Sequence, residues 1–418
     1  MTQPMLLITQ YYWPELVGSG PFCTDLAEWL AGNGNEVNVY TNRPHYPTNI
    51  VPRSYRDGQR DHEYCNGVTI ERIKPWTPQR RGAAMRIAAD ALFLARGVTA
   101  LITGRIKRTP TVISLCPSIL SVLLGTLAVR NGGRHVALIH DIQSGLASGL
   151  GMVAGKAMVW AMRKLERIVL NRVDHIVVLS ENMRRQLLDQ DVKTPIEVLP
   201  IWVDTKKIYP MRKIRGQRPM TVLYSGNFGR KQALGQIIEM AARLKEHGIA
   251  AKVMLRGAGG EAETLKRQVS RRGLKNIEFT SLVPMKRLNE GLADGDIHLV
   301  PQDDRAADFA VPSKVYAIMA AARPFVATAH PGSLLWQLQE RSDAFLCVPA
   351  GDVTALIDAV ERLASDPELR RTLGNNGRSY VMKHHDRSVL LERFFILLRI
   401  NPVKENDYAV RSITPADL

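Results

Sequence analysis

The sequence has few cysteines and no cysteine pair of the kind that binds metals. Its four cysteines, Cys23, Cys65, Cys116 and Cys347, are scattered along 418 residues, without a CxxC pair and without a histidine nearby at metal-ligand spacing. This pattern indicates neither a metal site nor a disulfide framework. We therefore expect free thiols in a reducing, cytoplasmic compartment.

An uninterrupted apolar run of membrane-spanning length is also missing. The apolar stretch MLLIT near the start is too short for a secretory signal, so we expect the protein to remain in the cytoplasm. The longest candidate span, AAMRIAADALFLARGVTALITG, is interrupted by Arg86, Asp90 and Arg96, and each of these is costly at the centre of a bilayer. We interpret this stretch as a partly buried helix.

Basic residues flank the same stretch, and they leave two interpretations open. In the first, the helix docks peripherally on an anionic lipid surface, such as the inner face of the plasma membrane. In the second, it is an ordinary amphipathic helix with solvated ends. The flanking residues are Arg80, Arg81, Arg105, Lys107 and Arg108.

Aromatic residues are scarce, at 6% of the chain, whereas Lys and Arg together exceed Asp and Glu by 16. The positive charge indicates an anionic partner: nucleic acid, an anionic membrane surface or a phosphorylated small molecule. A nucleic-acid-binding face requires aromatic residues interleaved with the basic ones, but here most aromatics lie within apolar strands and helices. We therefore predict no nucleic-acid partner.

Short apolar runs of strand length alternate with segments of helical period from end to end. This alternation predicts an α/β fold of doubly wound, Rossmann-like domains, because parallel strands are covered by helices on both faces. The length suits two domains, with a basic linker near 203–219. The predicted units are an N-terminal domain at 1–203, a C-terminal domain at 204–385, a helix with an apolar face at 386–400 and an irregular tail at 401–418.

A glycine-rich loop, GSGPFC at Gly18–Cys23, follows the first predicted strand. It differs from a dinucleotide-binding fingerprint because it lies far from the strand, Pro21 removes a backbone donor, and Asn42 and Arg43 stand where an acidic residue should bind ribose. We therefore expect no nicotinamide cofactor. The loop leads into a helix N-terminus that suits an anion or a sugar, or it is a plain loop that needs positive φ.

Three predicted strand-to-helix turns in the second half combine glycine or proline with basic residues: SGNFGRK, LRGAGG and VPSK. Glycine lets the backbone approach a ligand, and a helix that starts with proline and serine offers free N–H groups to an anion. Because parallel strands end at one edge of a sheet, these turns predict a single diphosphate pocket. In the alternative reading, Ser313 only caps a helix and Lys314 is only solvated.

Seven segments, taken in order, carry a resemblance to a known family. They are PELVGSGPFCTDLAEWLAGNGNEVNVYTNRPHYP, IHDI, HIVVLSENM, IEVLPIWVDTKKIYP, YSGNFGRK, LRGAGG and VPSKVYAIMAAARPFVA. Together they resemble the retaining glycosyltransferases of family 4, which have the GT-B fold. Within that family the PxYP and PSK features look most similar to the colanic-acid and exopolysaccharide branch, including fucosyltransferases.

The resemblance implies two Rossmann-like domains with a cleft between them, and a C-terminal helix that packs back on the first domain. It implies a nucleoside-diphosphate-sugar donor, GDP- or UDP-linked, a saccharide or polyprenyl-diphosphate-linked acceptor, and no metal or other cofactor. By carry-over, His140 and Asp141 lie at the catalytic centre. The residues implied for donor binding are Gly18, Ser19, Gly20, Gly226, Asn227, Arg230, Lys231, Arg256, Gly257, Asp308, Ser313 and Lys314.

The sequence also departs from the family pattern. Many members carry two glutamates separated by seven residues, but the aligned positions here hold Phe309 and Ala317. Asp308, one position away, is the nearest substitute. Ala322 replaces a glycine, and LPIWVD lacks the usual asparagine. Because of these departures, the sequence does not specify the sugar or the base of the donor. A nucleotide-sugar epimerase or hydrolase of the same fold remains the alternative activity.

Overall fold

The computed structural model describes residues 3–15, 18–46, 48–77, 83–144, 156–211, 219–303 and 314–399 of the chain. Within these ranges the strands belong to two sheets, one in each half of the sequence. The predicted doubly wound α/β architecture is therefore confirmed. The predicted tail at 401–418 lies outside the described residues.

The first half forms an eight-stranded sheet in the order β3-β4-β2-β1-β5-β6-β7-β8. All neighbouring strands are parallel except β3 and β4, which are antiparallel. The elements are β1 Pro4–Ile8, α1 Gly20–Gly32, β2 Glu36–Asn42, α2 Arg53–Arg56, β3 His62–Cys65, β4 Val68–Ile73, α3 Ala83–Ile102, β5 Thr109–Cys116, α4 Ile119–Ala128, β6 Val129–Ile139, α5 Lys156–Leu170, β7 His175–Val178, α6 Glu181–Asp189 and β8 Ile196–Val198.

The second half forms a six-stranded, fully parallel sheet in the order β11-β10-β9-β12-β13-β14. Two 3-10 turns, Arg230–Gln232 and Met285–Arg287, supplement its helices. The elements are β9 Met220–Asn227, α7 Gly235–Glu246, β10 Ala251–Ala258, α8 Ala262–Arg271, β11 Ile277–Thr280, α9 Leu288–Ala293, β12 Ile297–Pro301, α10 Lys314–Ala320, β13 Phe325–Ala329, α11 Leu334–Ser342, β14 Leu346–Pro349, α12 Val353–Ser365, α13 Pro367–His384 and α14 Arg387–Arg399.

Each sheet has one point at which the strand order reverses. In the first sheet this switch lies between β1 and β5, and in the second it lies between β9 and β12. Ligands of doubly wound folds bind in the crevice outside the carboxyl ends of the strands at the switch. The loops that follow β1, β9 and β12 therefore border the two candidate crevices, and the loop after β6 lies at the same edge of the first sheet.

The central strands are apolar along their whole length because helices cover both of their faces. Leu7, Val39 and Ile113 pack with α1 on one face of the first sheet, whereas Leu6 and Ile8 pack with α3 and α4 on the other. Strand β3, at the edge of the sheet beside β4, alternates exposed and half-buried residues. The sequence analysis missed β3 because this pattern carries little hydrophobic signal.

The last described helix, α14, packs against the N-terminal domain although it follows the second sheet in sequence. Leu391, Phe394 and Leu398 lie in the same hydrophobic cluster as Leu26 and Leu30 of α1. At the start of the helix, Arg387 forms an ion pair with Asp25 of α1 at 2.7 Å. These contacts bury the apolar face of the helix and tie the C-terminal segment to the first half of the chain.

The chain passes between the two halves at two adjacent backbone segments. The Val203 N–H donates to the His385 carbonyl oxygen at 2.9 Å, and the Arg387 N–H donates to the Val203 carbonyl oxygen at 3.0 Å. Arg378 of α13 donates to the carbonyl oxygens of Thr205 and Ile208 in the first of these segments. The two crossings are therefore held side by side.

No helix in the described ranges is both long enough and apolar enough to cross a membrane. Helix α3, which contains the longest apolar stretch of the sequence, has its Phe93 and Ala100 side chains in the core beside β1 and β5. Its Asp90 is buried and accepts a hydrogen bond from Gln10 at 2.9 Å. The prediction of a partly buried helix is confirmed.

Candidate functional site

Lys314 is the first residue of α10 and lies at the switch point of the second sheet. Its ammonium group sits over the ring of Tyr224, with Nζ 3.9 Å from the ring centroid. Gly226, two residues farther along β9, is so close that a Cβ atom there would lie 3.0 Å from Lys314 Nζ. The sequence predicted Lys314 at this edge but gave no indication of Tyr224.

The Lys314 ammonium group is buried, and it makes no hydrogen bond to any described residue. Burial lowers its pKa from 10.5 to about 7, because the charged form loses its hydration. The face of an aromatic ring supplies only part of the missing stabilisation. A buried cation without an anionic partner among the described residues is therefore the strongest indication of an anion-binding site in this half of the chain.

The ends of β9 and β10 approach each other at two glycines. Gly226 has φ +149° and Gly257 has φ +146°, which are conformations that other residues rarely adopt. A Cβ atom on Gly257 would lie 1.8 Å from the Gly226 carbonyl oxygen, so no side chain fits there. The Asn227 carbonyl oxygen accepts a hydrogen bond from the Tyr224 hydroxyl at 2.6 Å, and this bond fixes the ring beneath Lys314.

Arg230 and Lys231 form a short 3-10 turn after β9. The Arg230 side chain is 81% exposed, and its Nε lies 3.8 Å from Glu261 Oε1, an ion pair that water and salt screen strongly. Arg230 therefore stands at the solvent-facing side of the strand ends. The side chain of Lys231 lies outside the described atoms.

Arg256 differs from the prediction. Its guanidinium group is buried, donates to the Gly291 carbonyl oxygen at 2.8 Å and forms an ion pair with Asp294 at 2.6 Å. These contacts join β10 to α9 and engage both terminal nitrogens of the guanidinium group, while its Nε is buried without a hydrogen-bond partner among the described residues. This geometry favours a structural role for Arg256 over the predicted contact with a phosphate group, while its neighbour Gly257 provides the close backbone approach.

Two predicted donor residues, Asp308 and Ser313, lie outside the described residues. Their predicted roles therefore remain predictions. The same holds for Pro312 and Phe309. Ala317, which stands where many family members have a glutamate, falls within α10 and carries no polar group.

In the N-terminal domain the predicted glycine loop leads directly into α1. The helix starts at Gly20 with Pro21 in its first turn, and Ser19 occupies the capping position. The Ser19 hydroxyl makes no capping hydrogen bond, and it is buried without a partner among the described residues. Gly18 has φ +70° and lies against the ring of Tyr46. The start of α1 therefore offers the Ser19 hydroxyl as an unused hydrogen-bond donor.

Glu15 joins the glycine loop to the loop after β2. Its Oε1 accepts hydrogen bonds from the backbone N–H groups of His45 and Tyr46, both at 2.8 Å. Burial raises the pKa of Glu15 from 4.5 to about 7, although the two backbone hydrogen bonds oppose this rise. The sequence analysis missed Glu15. The only signal was one acidic residue inside the aromatic stretch QYYWPELV.

This bridge gives a stability prediction. Glu15→Ala should destabilise the protein by about 1–3 kcal/mol, because two buried N–H groups lose their acceptor. Glu15→Gln should restore most of the loss, since its amide oxygen still accepts. Because the pKa of Glu15 is raised in the folded state, the folded wild-type protein holds the Glu15 proton more strongly than the unfolded chain does. As pH rises from about 4.5 to 7, wild type should therefore lose stability relative to Glu15→Gln. Urea unfolding at several pH values measures both effects, and equal stability of all three proteins would contradict the prediction.

His140 follows β6, and its backbone N–H donates to the Cys116 carbonyl oxygen at 3.1 Å. Its ring contacts Phe22 edge to face, with centroids 4.4 Å apart, and Phe22 stacks on Trp202 at 3.9 Å. Burial lowers the pKa of His140 from 6.5 to about 4, so the imidazole is neutral near pH 7. Its Nε2 is buried and has no hydrogen-bond partner within the described ranges.

Asp141 is held in the same loop. Its carbonyl oxygen lies 3.7 Å from Cys116 Sγ. Three residues on, Ser144 is bound by Glu166 of α5, which accepts from the Ser144 backbone N–H at 2.9 Å and from its hydroxyl. The loop after β6 is thus anchored to both neighbouring elements.

The structure places the predicted residues in two groups at strand ends. Gly18, Ser19, Gly20, His140 and Asp141 border the carboxyl edge of the first sheet, while the second group borders the β9–β12 switch. Among the residues described, no set of three or more His, Cys, Asp or Glu side chains is arranged to hold a metal ion. The second group is Gly226, Asn227, Arg230, Lys231, Gly257 and Lys314.

Two doubly wound domains, with a buried cation at the switch point of the second, define a two-domain α/β protein whose second domain is suited to bind an anionic ligand. Two family models match the chain: "Glycosyl transferase 4-like domain" over residues 17–202 and "Glycosyl transferases group 1" over residues 210–380. The chain belongs to the family 4 glycosyltransferases and has the GT-B fold. It is a hexosyltransferase that uses a nucleotide-sugar donor and a saccharide acceptor.

One sequence relative supports the family, and two solved structures support the fold. The chain is similar to WcaI of Escherichia coli (strain K12), which is named as a colanic acid biosynthesis glycosyl transferase, with 28% identity over 400 residues, 92% of this chain and 96% of that protein. It is similar in structure to a sucrose-phosphate synthase from Thermosynechococcus elongatus, with a TM-score of 0.75, 19% identity and coverage of 95% and 98%. It is also similar to Anabaena HepE, solved with UDP and glucose, with a TM-score of 0.69, 12% identity and coverage of 95% and 99%. The resemblance seen in the sequence, including the colanic-acid branch, is confirmed. These matches give no support to an epimerase or a hydrolase.

Proposed function

We propose that this glycosyltransferase acts in exopolysaccharide synthesis, as its similarity to WcaI suggests. Its donor is a UDP- or GDP-linked sugar, its acceptor is a polysaccharide repeat carried on a polyprenyl diphosphate, and the anomeric configuration is retained. The observation that carries the proposal is the ammonium group of Lys314 at the switch point of the second domain, which is buried and has no hydrogen-bond partner among the described residues.

The donor diphosphate is bound at the end of β9 and the start of α10. Lys314 supplies a desolvated cation, Arg230 and Lys231 supply further charge, and Ser313 adds to the site through the start of the helix. At Gly226, Asn227 and Gly257 the backbone comes close to the diphosphate. Asp308 takes part of the role that glutamates have elsewhere in the family. Arg256 acts only indirectly, through its ion pair with Asp294.

The acceptor side is formed by the first domain. Gly18, Ser19 and Gly20 border the donor sugar from that side, and His140 and Asp141 lie near the reacting centre. Because the His140 imidazole is neutral, it acts as a hydrogen-bonding group rather than as a cation. The difficult step is loss of the diphosphate from the anomeric carbon, so catalysis depends on charge stabilisation and positioning.

A screen of nucleotides tests the donor assignment. UDP, GDP and ADP are compared at equal concentration by thermal shift, because a ligand that binds only the folded state raises the apparent stability. We expect UDP or GDP to raise the melting temperature by several degrees and ADP to raise it less. A larger shift with ADP, or no shift with any of the three, would contradict the assignment.

A lipid-linked acceptor requires contact with the membrane. One of the two interpretations of the sequence gives α3 a docking face, and the structure leaves Met85, Arg86 and Ile87 exposed at its start. Arg105, however, forms an ion pair with Glu71. Arg80 and Arg81 lie outside the described residues. Docking on anionic lipid remains part of the proposal, with fewer of the flanking basic residues to support it at α3.

A further inference from the structure

Helix α5 presents three different faces. Its inward face carries Val169, Leu170 and the buried Glu166, which pack against the first sheet or bind the loop after β6. The outward surface divides into two stripes. One is apolar, with Met158, Ala161, Leu165 and Ile168 at positions i, i+3, i+7 and i+10, all of them exposed.

The second outward stripe is basic and contains the most exposed tryptophan of the described chain. Trp160 is 63% exposed, and Arg163, Lys164 and Arg167 follow it at i+3, i+4 and i+7. Lys164 Nζ lies 4.9 Å from the centroid of the Trp160 ring. The two stripes adjoin, so the helix exposes apolar and cationic side chains together. Contact with water does not explain why four apolar side chains lie together on an exposed helix face, and apolar patches of this kind mark interaction sites.

We propose that α5 is the element that docks this enzyme on an anionic lipid surface. A helix with apolar residues, an interfacial tryptophan and basic residues on its outer side is suited to the boundary between headgroups and acyl chains. A second copy of the chain fits less well, because a two-fold contact across α5 would bring the basic stripes of two copies together in a protein of formal charge +16.

The position of α5 connects this surface to the reaction. Because β6 and β7 are parallel, the helix between them begins at the carboxyl edge of the sheet and ends at the opposite edge. Met158 and Trp160 therefore lie toward the edge that also carries His140 and Asp141. Helix α4 packs between α3 and α5, and Met85 and Ile87 at the start of α3 are exposed as well.

The inference rests on the proposed lipid-linked acceptor and names the part of the molecule that reaches it. Co-sedimentation measures binding of the full chain to vesicles of phosphatidylcholine alone and of phosphatidylcholine with 30% phosphatidylglycerol. We expect binding to the anionic vesicles, weakened by salt, and about tenfold weaker binding to the neutral ones. No binding to the anionic vesicles would overturn the proposal.

Two double variants test the contributions of the basic and the apolar stripe to vesicle binding separately. Arg163→Gln combined with Lys164→Gln should weaken binding to the anionic vesicles by about tenfold or more, since each basic residue near the surface contributes to the attraction. Leu165→Ser combined with Ile168→Ser should weaken it by a similar factor. Wild-type binding by either double variant would overturn the proposal. Circular dichroism and melting temperature establish that both variants are folded.

Matched controls come from other surfaces of the same chain. Lys266→Gln with Arg267→Gln removes two exposed charges from α8, and Tyr64→Ser removes an aromatic ring that is 75% exposed on β3. Both controls should bind anionic vesicles as wild type does. Equal loss of binding in the controls would show that total charge or general surface hydrophobicity, rather than α5, is responsible, and would overturn the proposal.

Trp160 provides a direct signal. Brominated phospholipids quench tryptophans that enter the headgroup–acyl boundary, and we expect most of the quenching in wild type to disappear in Trp160→Phe. Quenching that persists in this variant would place another tryptophan in the membrane and contradict the inference. A stable dimer that dissociates in Leu165→Ser with Ile168→Ser would identify a second copy as the occupant and would also overturn it.

The same samples distinguish this inference from the proposed function. A melting-temperature shift with UDP or GDP together with no vesicle binding would reject the docking surface and leave the donor site intact. Vesicle binding without any nucleotide shift would reject the donor assignment and leave the docking surface. Because α5 contributes no residue to the proposed donor site, its variants should keep the wild-type nucleotide shift.

Discussion

Replacing Lys314 with methionine should have two opposite effects: a large loss of nucleotide affinity and a gain in the stability of the unliganded protein. Methionine keeps much of the length and volume of lysine but carries no charge. Removing a buried charge-assisted contact to the diphosphate should weaken binding of the nucleotide selected by thermal shift about 10- to 100-fold. Isothermal titration calorimetry measures this change.

The gain in stability follows from the pKa of the ammonium group. Burial lowers it from 10.5 to about 7, so the unfolded chain binds this proton more strongly than the folded protein does. The cost to folding is greatest below about pH 7 and fades as pH approaches 10.5. Lys314→Met should therefore stabilise the free protein by on the order of 1–3 kcal/mol near pH 7, and by less at pH 10.

Diphosphate binding should also couple to protonation of Lys314. An anion beside the ammonium group favours its charged form, so binding at pH 8 should take up close to one proton, and affinity should fall by up to about tenfold per pH unit above 7. Calorimetry in buffers of different ionisation enthalpy detects the proton. Uptake of the same proton by Lys314→Met would assign it to another group.

Lys252→Met is the matched control for these measurements. Lys252 lies on β10 in the same sheet, is half exposed and forms an ion pair with Glu278 at 2.6 Å. Its loss should change neither nucleotide affinity nor its pH dependence, and stability should fall slightly or stay constant. If Lys314→Met behaved in the same way, the diphosphate site would lie elsewhere.

The second large effect is expected for His140→Ala. If the neutral imidazole contacts the reacting groups, its loss should lower kcat about 10²- to 10³-fold while the affinity for the nucleotide stays near wild type. Release of nucleoside diphosphate from the donor that the screen identifies measures kcat. Because burial lowers the pKa of His140 to about 4, protonation of this residue should not limit the wild-type rate above about pH 5.

His135, within the strand that His140 follows, supplies the matched control. It is buried in the middle of β6, where its ring hydrogen bonds with Ser114 at 2.7 Å and Thr126 at 3.2 Å. His135→Ala should cost stability by leaving the Ser114 hydroxyl without its partner, yet kcat of the folded fraction should stay within about twofold of wild type. Equal kcat values for the two histidine variants would remove His140 from the reaction.

Much of the architecture could be predicted from the sequence because the signals are local. Apolar runs of four to eight residues mark the buried strands, and the position of Lys314 after a strand and at the start of a helix fixes which edge of the sheet it reaches. The strand β3 escaped prediction because an exposed edge strand needs no apolar run. The same local reasoning identified the glycines of the β9 and β10 turns, whose conformations depend on the absence of a side chain.

The chemistry of individual side chains depended on contacts between residues far apart in sequence. Arg256 and Lys314 look alike in the sequence as basic residues near strand ends. The structure pairs Arg256 with Asp294, whereas Lys314 lies over the Tyr224 ring and has no anionic partner in the part of the chain that the structure describes. Glu15 acquires its role from backbone groups 30 and 31 residues away.

The sequence alone determined the alternation of strands and helices and the turns at which a diphosphate could bind, because periodicity, glycine and proline act over a few residues. Only the tertiary structure decided which charges are neutralised, which are buried without a partner and which apolar stripe remains in contact with solvent. Burial and pairing are properties of packed neighbours, and neighbours in space are set by the whole fold.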